Sequence, residues 1–129
     1  MLYQFSRHYT RDEARALLPQ VRAWFKKIAH ERTVLTHCDE QLAPLLAAGA
    51  DCGGEVVNRS VKAFAQLNSL LAEFAARDIQ IKDLDRGLID FPTILGGKEV
   101  FLCWELDEPD IEFWHDLSSG YSGREPLES

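Results

Sequence analysis

Between Leu18 and Phe74 apolar residues recur at steps of three and four, and from Ile79 onward the step becomes two. The first spacing paints a stripe on a helix and the second puts alternate side chains on one face of a strand. A chain with that change of period places long helices first and strands second. Its fold class is therefore expected to be α+β: a long antiparallel helical hairpin packed on a small antiparallel β-meander. At 129 residues, with 46% hydrophobic and 27% charged composition, it has the size and apolar content of one compact domain. The expected layout is a single domain over 1–129, with the hairpin at 11–77, the meander at 79–116 and a tail at 117–129.

The helical half carries its own start and stop signals. Thr10-Arg11-Asp12-Glu13 is a capping box: Thr10 accepts from the amide three residues on, and Glu13 reaches back to the Thr10 amide. A helix is expected from about Arg11, with Asp12 and Glu13 suited to its positive end. Pro19 either kinks that helix or restarts it. Around and beyond Pro19 the stripe Leu18, Val21, Phe25, Ile28, Leu35, Leu42, Leu45 and Leu46 has its weak point at Arg32. The glycines of the 48–54 segment end the helix, and Pro44 is expected to kink it a turn earlier. A second stripe follows at Val57, Val61, Phe64, Leu67, Leu71 and Phe74. Two long stripes joined by a short loop make an antiparallel hairpin.

In the strand half, Ile79-Gln80-Ile81-Lys82-Asp83 alternates, and Asp85-Arg86-Gly87 turns the chain into Leu88–Leu95. Gly96-Gly97 forms a two-residue hairpin loop, since glycine takes positive φ without strain. That loop pairs Leu95 with Lys98, Phe91 with Leu102, Asp90 with Cys103 and Ile89 with Trp104. Lys98–Leu106 then leads through Asp107-Glu108-Pro109-Asp110 to a last strand at Ile111–His115. Pairing Leu106 with Ile111 across that turn puts Phe113 beside Trp104 and Trp114 beside Cys103. Asp90, Cys103 and Trp114 then form a row across three strands, either an open binding surface or a face covered by the tail, with Trp114 beneath Tyr121.

The segments Gly87-Leu88-Ile89-Asp90-Phe91, Leu102-Cys103-Trp104, Trp114-His115 and Gly120-Tyr121 with Gly123-Arg124 resemble the signature of an uncharacterised prokaryotic family, domain of unknown function 2203. Phe5, Thr10, Glu13, Ala14, Leu18, Pro19, Lys82-Asp83 and Glu108 extend the likeness over nearly the whole chain. The resemblance brings no established activity to this chain and leaves its cofactor open.

Charge and cysteine usage narrow the partners. A net charge of −7 disfavours nucleic acid and anionic membrane, both of which need a concentrated basic surface. No stretch is apolar enough to span a bilayer, and neither secretion nor membrane spanning is expected. Cys38, Cys52 and Cys103 are odd in number and lack CxxC spacing, so reduced thiols in a cytoplasmic protein are expected. Surplus apolar positions on the helices point to a homodimer.

Several chemistries compete for the C-terminal half. The candidate ligand-binding residues are Asp90, Cys103, Trp114, His115 and Arg124, with Arg124 able to fork onto a small anionic ligand or, instead, to pin the tail to Asp90 or Glu105. A metal site would draw on Glu108, His115 and Asp116, since imidazole and carboxylates suit zinc, iron or manganese. His8 reaches that site only if the first segment docks beside the last strand. A nucleophilic Cys103 needs His115 as base and Asp90 as orienter, and the expected register puts Cys103 and His115 on opposite faces. His30 and His37 are expected to be surface residues. The leading expectation is a non-catalytic binding or interaction module that self-associates, and the alternative is a small enzyme or ligand-binding protein with an anion or metal site on the sheet.

Overall fold

The computed structural model describes residues 2–49 and 54–128; Cys52 lies outside them. Two helices, α1 (Arg11–Ala47) and α2 (Glu55–Ala75), precede five strands: β1 (Gln80–Asp83), β2 (Leu88–Leu95), β3 (Lys98–Glu105), β4 (Phe113–Asp116) and β5 (Glu125–Pro126). A 3₁₀ turn at Tyr121–Gly123 separates the last two strands. The protein is α+β. It divides into two compact units, Met1–Arg22 with Phe74–Ser129, and Ala23–Glu73.

The helical unit is an antiparallel pair. Near its loop end Arg59 Nη2 donates to Gln41 Oε1 at 2.9 Å. Further along, Gln66 turns its amide nitrogen onto Glu31, 2.6 Å and 3.2 Å from the two carboxylate oxygens. Glu31, not Arg32, is therefore the charged residue turned inward, and it is buried because Gln66 satisfies it. α1 runs unbroken through Pro19 and past Pro44, so Pro19 restarts nothing. The φ of proline is a helical value, and the chain continues with one hydrogen bond fewer. The inward face of α2 also differs from expectation. Val56, Ser60, Ala63, Leu67, Leu70 and Phe74 are buried or half-buried at helical spacing, whereas Val61 and Phe64 are 64% and 57% exposed. Small Ala63 holds an inward position, 3% exposed.

The other unit is an antiparallel meander in the order β1-β2-β3-β4-β5. Gly96 and Gly97, at φ +57° and +79°, make the tight loop that sets the β2–β3 register as expected, from Leu95 opposite Lys98 to Asp90 opposite Cys103 and Ile89 opposite Trp104. The β3–β4 register is one residue away from the expected one: Cys103 faces Phe113, Leu102 faces Trp114 and Phe101 faces His115. Ile111 is buried but belongs to the loop, because α1 anchors that loop side chain by side chain. Arg11 Nε donates to the Ile111 carbonyl at 2.7 Å, Arg15 Nε to Asp110 at 2.7 Å, and Arg22 to the Glu108 and Pro109 carbonyls at 3.3 Å each. The tail adds an unexpected fifth strand, with Phe113 opposite Pro126 and Trp114 opposite Glu125.

One sheet face buries Ile89, Phe91, Val100, Leu102 and Trp104, and Ala14, Leu18, Val21, Phe74 and Ile111 are buried in the same unit. Each such large side chain removed from water contributes roughly 1.5–3 kcal/mol. The capping box forms as read, with the Thr10 amide donating to Glu13 Oε1 at 2.9 Å and the Glu13 amide to Thr10 Oγ at 3.1 Å. Before it, residues 4–9 are strapped down by two acids. Asp78, at φ +59°, accepts from Ser6 Oγ and the Arg7 amide at 3.1 Å each. Glu99 accepts from the amides of Gln4 and Phe5 at 2.7 and 3.0 Å, and pairs with His8 at 2.6 Å.

Candidate functional site

The second sheet face is buried too, and it is chemically different. Leu88, Asp90 and Pro92 of β2, Phe101 and Cys103 of β3, and His115 of β4 all project from it, because the observed β3–β4 register gives His115 the parity of Cys103 and Asp90. This corrects the expected row: Trp114 lies opposite Leu102 on the other face, and Phe113 takes the place beside Cys103. The same one-residue shift brings Cys103 and His115, expected on opposite faces, to the same one.

Asp90 and His115 are 1% and 2% exposed. His115 Nε2 lies 2.9 Å from Asp90 Oδ1, while Nδ1 donates to the Asp116 carbonyl at 2.7 Å. Both ring nitrogens thus face acceptors. Burial works against the imidazolium, but the Asp90 carboxylate, the Cys103 sulfur and the Asp116 carbonyl outweigh it and push His115 up to about 10. Donor atoms of Asp90, Cys103 and His115 all lie within 4.8 Å of one another. The second carboxylate oxygen, Asp90 Oδ2, is buried and has no hydrogen-bond partner. Asp90 also lines a pocket of about 200 Å³, together with Cys103, His115, Lys82 and, from the tail, Ser119, Gly120 and Tyr121.

Arg124, the expected anion fork, is already engaged. Its guanidinium forms a bidentate pair with Glu108 at 3.0 and 2.8 Å, where the tail-clamp reading looked to Asp90 or Glu105. It lies 3.8 Å from the centre of the Phe113 ring and 4.2 Å from that of Tyr121, whose ring Arg86 also approaches at 4.3 Å. Arg124 Nη1 is also 4.0 Å from Cys103 Sγ. Arg86 Nη2, for its part, donates to both carboxylate oxygens of Glu105, at 2.8 and 2.9 Å. Glu108 further accepts from the Glu105 amide at 2.8 Å, so it closes the β3–β4 turn and holds the tail. Of the expected metal trio only His115 belongs to the cluster. Glu108 is taken up by Arg124, and the Asp116 carboxylate pairs with Lys98 at 2.9 Å. His8 stands at Glu99, and His30 and His37 are exposed.

This arrangement does not match a nucleophile–base–orienter triad. His115 Nε2 faces Asp90 and Nδ1 is bonded to backbone, so the two ring nitrogens are not divided between carboxylate and thiol as a triad requires. It does match what a metal ligand set needs: three donors of different type on three adjacent strands, with the remaining imidazole N–H held by a carbonyl. One signal in the sequence pointed to the missing member. A carboxylate and a thiol on an otherwise apolar stretch of central strand need a partner if buried, and His115 is the lone histidine in the C-terminal half.

Fold and site together define an α+β protein with a buried carboxylate–thiol–imidazole cluster roofed by its own tail. The chain belongs to the family described as Uncharacterized conserved protein (DUF2203), which matches residues 7–127. No curated protein and no solved structure gives a match.

Proposed function

We propose that this protein is a small-ligand-binding module whose site is the pocket over Asp90, and that it acts by binding without covalent chemistry at Cys103. Asp90 carries the reading: one of its carboxylate oxygens is buried without a partner, and the residue lines a pocket. Leaving such an atom unpaired costs about 1–3 kcal/mol, which a hydrogen-bond donor or a cation entering the pocket recovers. The volume of about 200 Å³ suits an ion or a small group and is below the range of drug-sized ligands. A small anion at Arg124 has to displace Glu108 from both guanidinium nitrogens, and so is the weaker fit. The test is native mass spectrometry of the wild type beside Asp90→Asn. A retained mass present in the first and lost in the second is the expected result; identical spectra count against the site.

A second proposal rests on the hairpin. Val61 and Phe64, one turn apart on α2, are exposed large apolar residues on one face. They favour self-association as a homodimer through the helices, with the pocket present in each copy. Among the described residues no helix is long and apolar enough to cross a membrane. A cytoplasmic setting fits the free thiols of Cys38 and Cys103.

A further inference from the structure

We infer that the ligand of this pocket is a divalent transition-metal ion of the zinc class, held by one carboxylate oxygen of Asp90, the Cys103 thiolate and His115 Nε2, with a fourth position open to the pocket. The inference rests on the binding role proposed above and names its ligand.

Tetrahedral zinc, with bonds of about 2.0–2.3 Å, sets its donors roughly 3.3–3.8 Å apart. The three donors here already lie within 4.8 Å of one another, with His115 Nε2 and Asp90 Oδ1 at 2.9 Å. Small side-chain rotations on fixed strands therefore close the set. The backbone contributes rigidity, because the three residues sit on the paired strands β2, β3 and β4 and not on loops. The Asp116 carbonyl holds the Nδ1 proton, which leaves Nε2 as the coordinating nitrogen. Asp90 Oδ2, buried without a partner, is an oxygen with coordination to spare.

Donor type selects the ion. A thiolate with an imidazole and a carboxylate suits zinc and its neighbours, whereas calcium and magnesium require more oxygen ligands than the cluster offers. Charge also balances. One dication, two anionic ligands and a neutral imidazole sum to zero, as suits a buried site. The exchange is balanced too: a dication enters, the imidazolium gives up its Nε2 proton and Cys103 its thiol proton, and two protons leave for solvent. Three protein ligands with one open position is the pattern of sites that exchange a small fourth ligand, and here that position is walled by Ser119, Gly120 and Tyr121.

The full chain, stripped with chelator, is titrated with Co(II) and then with Zn(II). The expected result is a thiolate-to-cobalt charge-transfer band with the intense visible bands of four-coordinate cobalt, saturating at one ion per chain and erased by zinc. Cys103→Ser removes the charge-transfer band, Cys38→Ser and Cys52→Ser keep it, and Asp90→Asn or His115→Gln weakens binding by about 100-fold or more. Absence of the band in the wild type, or its survival in Cys103→Ser, overturns the inference. Should the variants fold poorly, X-ray absorption of the zinc-loaded wild type decides: one sulfur among nitrogen and oxygen scatterers is expected, and none or several sulfurs overturns it. If the wild type takes no metal, native spectra separate the two readings. A small molecule retained by the wild type and lost in Asp90→Asn leaves the binding role standing without the ion, and no difference removes both.

Discussion

Gly87 answers two separate demands. Its φ of +64° is one that L side chains rarely adopt, and a Cβ built there would lie 2.6 Å from Leu106 Cβ. Gly96 has nearly the same φ, +57°, but open space around it. Alanine at Gly96 should therefore cost only the left-handed backbone penalty, about 1 kcal/mol, while alanine at Gly87 adds an overpacking cost and reaches about 3 kcal/mol. Urea unfolding of the two variants measures the difference, and equal midpoints would show that Leu106 yields freely. The same method probes the buried pair. Asp90→Ala leaves His115 without its counter-charge and should destabilise the metal-free protein by about 3 kcal/mol. Replacing both residues with leucine should recover most of that loss, because no charge is then stranded. A double variant as weak as the sum of its singles would mean that the two groups are uncoupled.

The two terminal segments, held through carboxylates, are where pH acts on whole elements. Burial pushes the Glu99 carboxyl up, but the bonds from His8 and from the Gln4 and Phe5 amides outweigh it and hold the group below the usual glutamate value. With the folded value below the unfolded one, this contact contributes stability at pH above the ordinary glutamate range. That contribution is lost as pH falls through the folded value. The Gln4 and Phe5 amide resonances should shift together in that acid window, and in Glu99→Gln they should sit near their released positions at neutral pH. At the other end Arg124→Ala removes the bidentate Glu108 pair, and the Leu127 amide, which donates to the Glu112 carbonyl at 2.8 Å, should lose hydrogen-exchange protection while β2 and β3 keep theirs. The same contrast between local and distant partners explains what was legible in the sequence. The β2–β3 register could be read because Gly96-Gly97 fixes it within two residues. The β3–β4 register could not, because Arg11, Arg15 and Arg22, some 90 residues upstream, set the path of its loop. The expected register therefore puts His115 on the wrong face, although it stands among the candidate ligand-binding residues with Asp90 and Cys103.

Across the molecule, the class of fold followed from the change of period at Ile79, and the hairpin from two stripes and a glycine loop. What periodicity could not rank was which side of α2 turns inward, since Val61 and Phe64 look better suited to a core than Ser60 and Ala63. The structure buries Ala63 and leaves Val61 and Phe64 outward, 64% and 57% exposed. That reversal is what makes a dimer through the helices an argument and not only a compositional hint. Two exposed apolar side chains do not by themselves make an interface, since a stable one buries about 1,200–2,000 Å² in total. They would lie at its centre, where truncation or charge is felt most. Val61→Lys with Phe64→Lys should therefore turn a concentration-dependent dimer into a monomer in sedimentation equilibrium. Thermal stability measured at low concentration should stay unchanged, because neither residue contributes to the core of its own chain. A wild type that remains monomeric at every concentration would rule out the homodimer. A double variant that also melts early would instead assign Val61 and Phe64 to internal packing.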